Sequence, residues 1–348
     1  MKKIAVIGHF AQGKEYLDGQ TVKTKILTQT LCDHYGEKAL LKLDSHGWKK
    51  HPIRFLLQVW KAAKHAQHVI ILPAHNGVRV LVPVLHFATL LGKRCKAHYA
   101  VIGGWLPKYL SARPGLANML KRFAGIYVET STMKNALEGM GFTNVFRMPN
   151  CKQLQQLNRE DMVYPENEPY KLCTFSRVMK EKGIEDAVNA VRAVNTACGR
   201  TVFTLEIYGQ VDANQLRWFE DLQKTFPEYI RYGGLVPFDK SVEVLKDYFA
   251  LLFPTYYDGE GFAGTLLDAM ASGTPVIASD WRYNAEIVKE GQTGLLFPAR
   301  DVDALTERLK TIVTDTEKWN EMRPVCLQEA QKYLPEEVIK VLLKRIEA

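Results

Sequence analysis

Cysteine is sparse in this chain. Six of 348 residues, Cys32, Cys95, Cys151, Cys173, Cys198 and Cys326, are scattered with no close pair and no metal-ligand spacing. That excludes a disulfide framework read from spacing and fits free thiols in a reducing cytoplasm. Long hydrophobic runs are also missing. The most apolar long stretch, Val78 to Leu91, is shorter than the roughly 20 residues a membrane span needs. It also contains Pro83 and His86, so it reads as a buried helix. Met1-Lys2-Lys3-Ile4 leads straight into a strand, so no signal peptide is expected. No zinc-finger, basic-zipper or RNA-recognition pattern accompanies the net charge of +8, and nucleic acid is not the expected partner. No G-x-G-x-x-G follows a strand, which disfavours a dehydrogenase. The nearest phosphate-loop pattern, Gly8 to Lys14, fails at Glu15, where Ser or Thr should meet magnesium, and Asp18-Gly19 interrupts the helix that should follow.

What is present is ordinary globular composition, 47% hydrophobic and 24% charged, in a chain long enough for two domains. Apolar runs expected as strands fall at 3–10, 40–43, 69–73, 98–102, 124–129 and 144–148. A second set falls at 171–175, 202–208, 229–232, 251–254 and 276–278. Helical patterns alternate with them, which predicts parallel sheets. The polar, proline-bearing stretch Gln153 to Tyr170 is the expected boundary between domains over 1–152 and 170–323.

The chain is organised around Asp258 to Ser279, DGEGFAGTLLDAMASGTPVIAS. A turn-prone acidic loop runs into a short helix whose apolar residues Leu266, Leu267, Met270 and Ala271 have helical spacing. Gly273 ends the helix, Pro275 follows, and Val276-Ile277-Ala278 reads as a buried strand. Gly261 and Gly264 allow close approach to a helix N-terminus whose first amides have no partner within the helix. That combination favours phosphate. Glu260 beside a phosphate makes sense if it accepts hydrogen bonds from neutral hydroxyls. Asp268, about two helical turns on, suits the hydroxyls of a second ring. Two carboxylates for hydroxyls and amides for phosphate fit a nucleotide sugar.

The segment Glu260-Gly261-Phe262-Ala263, continued by Leu267-Asp268-Ala269-Met270-Ala271-Ser272-Gly273-Thr274-Pro275-Val276-Ile277-Ala278, resembles the signature of family 4 of the retaining GT-B-fold glycosyltransferases. Ala263 stands for a glycine and Asp268 for a glutamate. A second match, Ser176-Arg177 through Lys182-Gly183, resembles that family's G-R-x-x-x-x-K-G, with Ser176 for the glycine. The resemblance implies two Rossmann-like doubly wound domains with the active site in the cleft between them, and a terminal helix, about 324–348, returning to the first. It implies that Glu260 holds the donor sugar and Asp268 the ribose. Arg177, Lys182 and the amides over Gly261, Phe262, Ala263 and Gly264 would meet the diphosphate. Gly19 would face that diphosphate by placement, and Val236 would contact the base. No metal and no cofactor is implied.

In the first half, His75 and Asn76 follow a strand end, where doubly wound sheets place ligands. Gly103-Gly104-Trp105 occupies a place where many relatives carry a histidine touching the sugar. These five residues are the expected sugar or acceptor pocket. Ser45 to Lys64 is basic, aromatic and amphipathic, with Trp48 and Lys49-Lys50-His51 ahead of a helix starting near Pro52. This suits an anionic membrane face as well as it suits an ordinary surface helix. Ser131 is expected to cap a helix, and Asp301 to cap another rather than to serve in a metal motif. The expected protein is a transferase moving sugar from a UDP- or GDP-linked donor to a glycan or undecaprenyl-diphosphate-linked acceptor in capsule, exopolysaccharide or lipopolysaccharide synthesis. It would work in the cytoplasm or on the inner membrane face. A nucleotide-sugar epimerase of the same fold, or a non-catalytic nucleotide-sugar-binding protein, are the alternatives.

Overall fold

The computed structural model describes residues 3–11, 19–91, 95–153 and 155–348. The part of the failed phosphate loop from Gln12 through Glu15 lies outside them. The chain forms two units, Met1–Gln153 with Tyr333–Ala348, and Leu154–Lys332.

In the first unit, short apolar-rich runs become parallel strands. They are β1 Ile4–Gly8, β2 Leu40–Asp44, β3 His68–Ile71, β4 Lys96–Ala100, β5 Gly125–Val128 and β6 Val145–Arg147, in the order β2-β1-β3-β4-β5-β6. β1, β3 and β5 are wholly buried, and β2, β4 and β6 are partly exposed. All neighbouring pairs are parallel. Helices α1 Gly19–Tyr35, α2 Pro52–His65 and α3 His75–Leu90 connect the first four strands. Ile4, Val6, Leu27, Leu31 and Ile70 form the core with Leu342 and Ile346 from the end of the chain. A polar chain threads the middle of this sheet. His68 Nδ1 and His98 Nε2 are 3.0 Å apart, and His98 Nδ1 is 3.0 Å from the Tyr127 hydroxyl. Burial, with Lys96 and Lys3 nearby, lowers the pKa of His68 to about 4. Burial and the neighbouring His68 lower that of His98 to about 3.

The second unit repeats the plan with β7 Tyr170–Phe175, β8 Phe203–Tyr208, β9 Ile230–Gly234, β10 Ala250–Phe253, β11 Val276–Asp280 and β12 Gly294–Pro298, ordered β12-β11-β10-β7-β8-β9. Its pairs are likewise parallel. After β9 the chain crosses to the other side of β7, so β7 and β10 are neighbours at the switch point. The loops leaving their carboxyl ends are therefore thrown together. In the first unit the same reversal lies between β1 and β3.

Three local expectations change. Thr130, not Ser131, caps helix Ser131–Gly139: its side chain accepts from the Met133 amide at 3.2 Å, and Ser131 is already the first helical residue. β12 comes from Gly294-Leu295-Leu296-Phe297-Pro298, a run not anticipated as a strand. The stretch from Pro324 is not one helix. Helix Thr316–Ala330 ends in a tight turn at Gln331–Tyr333, Pro335 starts a short new turn, and Lys340–Glu347 is a separate helix. Only the residues from Tyr333 onward belong to the first unit. Asp301 caps its helix by accepting from Ala304 N at 2.8 Å.

Candidate active site

The switch-point loops of the second unit are fastened backbone to backbone. After β7 the chain makes one tight turn, Lys180–Lys182, and Gly183 follows with φ +68°. A Cβ there would sit 2.1 Å from the Pro254 carbonyl oxygen, so a glycine is required for both its conformation and its closeness to the β10 loop. The Tyr256 amide donates to Glu181 O at 2.8 Å, and the Thr255 hydroxyl oxygen lies 3.3 Å from the same carbonyl. Gly209 (φ +133°) similarly lies where a Cβ would strike Ser176 O at 1.8 Å, which holds the β7 loop against the end of β8.

This stitching sets Lys182 against Glu260. Lys182 Nζ is 2.5 Å from Glu260 Oε2, and Thr255 Oγ1 donates to the same oxygen at 2.7 Å. The Lys182 and Glu260 side chains are 12% and 8% exposed. A nearly buried ion pair is held this firmly only when hydrogen bonds complete it, and Thr255 supplies one. Oε1 of Glu260 has no partner among the described residues. The pair opens on a cavity of about 240 Å³ walled by Ser176, Arg177, Lys182, Tyr257, Glu260 and Gly264. Arg177 is largely exposed and 3.6 Å from Asp212.

Helix Gly264–Ala271 points its N-terminus at this cavity. Ala263 occupies the cap position and offers no side-chain acceptor to the first amides. A Cβ on Gly264 would meet nothing within 4 Å, so the space in front of those amides is open. The other end is closed by a Schellman turn: Gly273 (φ +68°) donates to Met270 O at 3.1 Å and Thr274 to Ala269 O at 2.8 Å. Two cations, a helix N-terminus with its positive dipole end and one carboxylate oxygen thus converge on a single cavity. Such a set binds an oxyanion next to hydroxyl groups.

The structure brings Arg177, Lys182, Glu260, Ala263 and Gly264 together. Gly261 and Phe262 complete the turn between Glu260 and the helix, Phe262 being buried. Asp268 is 3% exposed, faces the interior from the second turn of the helix, and is not on the cavity wall. Val236 is half-buried just beyond β9, outside the cavity. The other named residues belong to the first unit. His75 and Asn76 open α3 and line a second cavity of about 260 Å³ together with His9, Gln20, Trp48 and Lys49. His75 stacks on Trp105 with ring centroids 3.8 Å apart. Partial burial and Arg113 lower its pKa. Gly19 is the exposed first residue of α1 and is not among that cavity's lining. Gly103 (φ +76°) and Gly104 form a turn anchored from below: Gly103 N donates to Glu129 Oε2 at 3.2 Å, and Lys23 holds Glu129 Oε1 at 2.5 Å. Sequence reasoning missed the buried Lys23–Glu129 pair, the Thr255 bond to Glu260, and His9, which lies 2.9 Å from His46. Among the described residues, no group of three or more His, Cys, Asp or Glu is arranged to hold a metal ion.

Two units, each built on a sheet of six parallel strands, have the GT-B fold. Over the whole chain the structure resembles Anabaena Alr3699/HepE in complex with UDP (TM-score 0.74, 13% identity, 100% of both chains). It also resembles the lipopolysaccharide outer core galactosyltransferase WaaB (TM-score 0.72, 16% identity, 99% of both). At such identities the likeness shows the fold. Residues 169–315, within the second unit, match the family model described as Glycosyl transferases group 1. Among curated relatives, the GtfA subunit of the UDP-N-acetylglucosamine–peptide N-acetylglucosaminyltransferase of Streptococcus gordonii is 26% identical over 61% of this chain and 42% of its own length. The lipopolysaccharide core biosynthesis mannosyltransferase LpcC of Rhizobium leguminosarum bv. viciae is 31% identical over 40% of each. The matches thus span less than half the length of these relatives.

Proposed function

We propose that this chain transfers a glycosyl group, with retention of configuration, from a nucleoside-diphosphate sugar to a hydroxyl of a lipid-linked glycan during surface-polysaccharide assembly. The observation that carries the reading is the convergence of Arg177, Lys182, the open amides of helix Gly264–Ala271 and Glu260 on one cavity. The bond between the anomeric carbon and the diphosphate oxygen breaks, and negative charge grows on that oxygen. Arg177, Lys182 and the amides sit where they stabilise it. The acceptor oxygen bonds to the anomeric carbon on the face the leaving group vacates, and its proton passes to the departing diphosphate. No protein carboxylate is needed as a covalent nucleophile. Glu260 orients the sugar through its hydroxyls, released from part of its bond to Lys182 as the diphosphate takes up that cation. Asp268, Val236 and Gly19 lie off this cavity, and their roles at the ribose, the base and the diphosphate are proposed on the family resemblance alone. His75, Asn76, Gly103, Gly104 and Trp105 shape the sugar or acceptor pocket. The named activities of WaaB, LpcC and the amylovoran glycosyltransferase AmsK of Erwinia amylovora support this reading, as does the UDP bound by HepE.

The test is transfer from a panel of UDP- and GDP-sugars to a lipid-linked acceptor, with the product's anomeric configuration read by NMR. Retention, with at least about a hundredfold loss of kcat in Glu260→Gln, is the expected result. Donor turnover without any acceptor, or an inverted product, overturns it.

A further inference from the structure

The first unit carries an asymmetry of charge that its fold does not require. Between Asp44 and Glu129 there is no Asp or Glu at all, while the same 84 residues contain 13 Lys and Arg. They include α2 and α3, which pack on each other on one face of the sheet. α2 buries Phe55, Val59, Ala62 and Ala63 and presents a different stripe outward. Ile53 is 75% exposed and Leu57 57%. Lys50, Ile53, Leu57, Lys61 and Lys64 follow one another at three- and four-residue steps, so they share one outer face of the helix and its entry turn. Lys50, Ile53, Leu57 and Lys61, with His51 and Arg54, wall a shallow groove of about 620 Å³. Among the described residues none of Lys50, Arg54, Lys61 and Lys64 takes part in an ion pair.

Trp48, which the sequence put forward as the surface anchor, is instead half-buried, its ring 6.0 Å from Phe55. The outward apolar residues are Ile53 and Leu57. No helix among the described residues is long and apolar enough to cross a membrane. We infer that this face of α2 docks on the surface of an anionic lipid bilayer, with Ile53 and Leu57 inserted at the headgroup–acyl boundary and Lys50, Arg54, Lys61 and Lys64 on the headgroups. Cations that pair with no carboxylate among the described residues suit any polyanion. Two adjacent, strongly exposed aliphatic side chains at their centre favour a bilayer over nucleic acid, whose phosphates offer them nothing to bury against. The cavity holding His75 and Asn76 shares this neighbourhood, since Trp48 and Lys49 line it and Lys50 and His51 line the groove. A lipid-borne acceptor would then be presented beside the pocket. The inference deepens the reading of a lipid-linked acceptor, and binding to a bilayer is measurable with no sugar present.

The test is flotation of the full chain with vesicles of phosphatidylcholine alone or with about one-third phosphatidylglycerol, at low and high salt. The expected result is binding to the anionic vesicles only, lost at high salt. Lys50→Gln with Lys61→Gln should weaken it about 30-fold, from about 1 kcal/mol per basic residue. Ile53→Ser with Leu57→Ser should weaken it at least about tenfold while leaving the melting temperature and any nucleotide-induced thermal shift unchanged. Three outcomes overturn the inference: no binding to anionic vesicles at low salt, binding that ignores the Ile53 and Leu57 changes, or displacement of the vesicles by an equal charge of random duplex DNA. If vesicles bind as stated but no nucleotide sugar does, the docking surface stands and the transferase reading fails.

Discussion

The two units share one plan of six parallel strands and differ in almost everything written on it. The first contains 26 Lys and Arg against 10 Asp and Glu, net +16, and the second 20 against 28, net −8. All nine histidines lie in the first. The basic bulk composition therefore says nothing about the unit whose site we assign to a diphosphate. In the second unit Arg177 and Lys182 are local exceptions in an acidic body, set by two loops and tied by Gly183. In the first unit positive charge is spread over a surface. One arrangement suits a small ligand by geometry, the other an extended anionic partner by field, as the two proposals require.

Substitutions that separate geometry from charge sharpen this contrast. Gly183→Ala forces a side chain into a positive-φ position against the Pro254 carbonyl. It should cost about 4 kcal/mol in denaturant unfolding of the second unit, and wild-type stability would break the claim that position 183 requires glycine. Lys182→Ala strands Glu260 in a nearly buried place and should cost about 3 kcal/mol. Lys182→Met combined with Glu260→Gln should recover most of that stability with no recovery of activity. Acid should act on the first unit first. His68 and His98 stay neutral when folded, with pKa values lowered to about 4 and about 3, but take up protons when unfolded, near the ordinary value of about 6.5. Their contribution is complete above about pH 6.5 and is lost progressively as pH falls toward 3. Hydrogen exchange compared at pH 7 and pH 5 should show β3, β4 and β5 loosening before β7, β8 and β10. Equal loosening would contradict the histidine account. Smallest in stability is Arg177→Ala, at most about 0.5 kcal/mol because the side chain is exposed, while kcat falls about a hundredfold.

Much of the fold was legible. Eleven of the twelve strands announce themselves as buried aliphatic runs, and Gly273 and Asp301 act as the helix stop and start their residue types suggest. β12 was hidden because Gly294-Leu295-Leu296-Phe297-Pro298 offers only three apolar residues between breakers. The break after Ala330 was hidden because the apolar spacing continues across it. In the site, the signature loop and the Arg177–Lys182 turn are contiguous motifs and could be seen. Lys23 and Glu129 are 106 residues apart and meet only in the folded chain, where the Lys23 side chain on α1 reaches Glu129 just past β5, so neither position carries a local sign. The signal that could have pointed to them is composition: Glu129 is the first acid after 84 residues without one. The same count would have marked the α2 face more firmly than its tryptophan did.

The most direct test of the central claim is calorimetric titration of UDP, GDP, ADP and CDP, each beside its bare nucleoside, into the wild type and Arg177→Ala. The account predicts that at least one diphosphate binds at least tenfold tighter than its nucleoside, and that Arg177→Ala removes most of that difference while the nucleoside's own affinity stays put. Binding of no diphosphate, or a diphosphate preference that Arg177→Ala leaves intact, would contradict it.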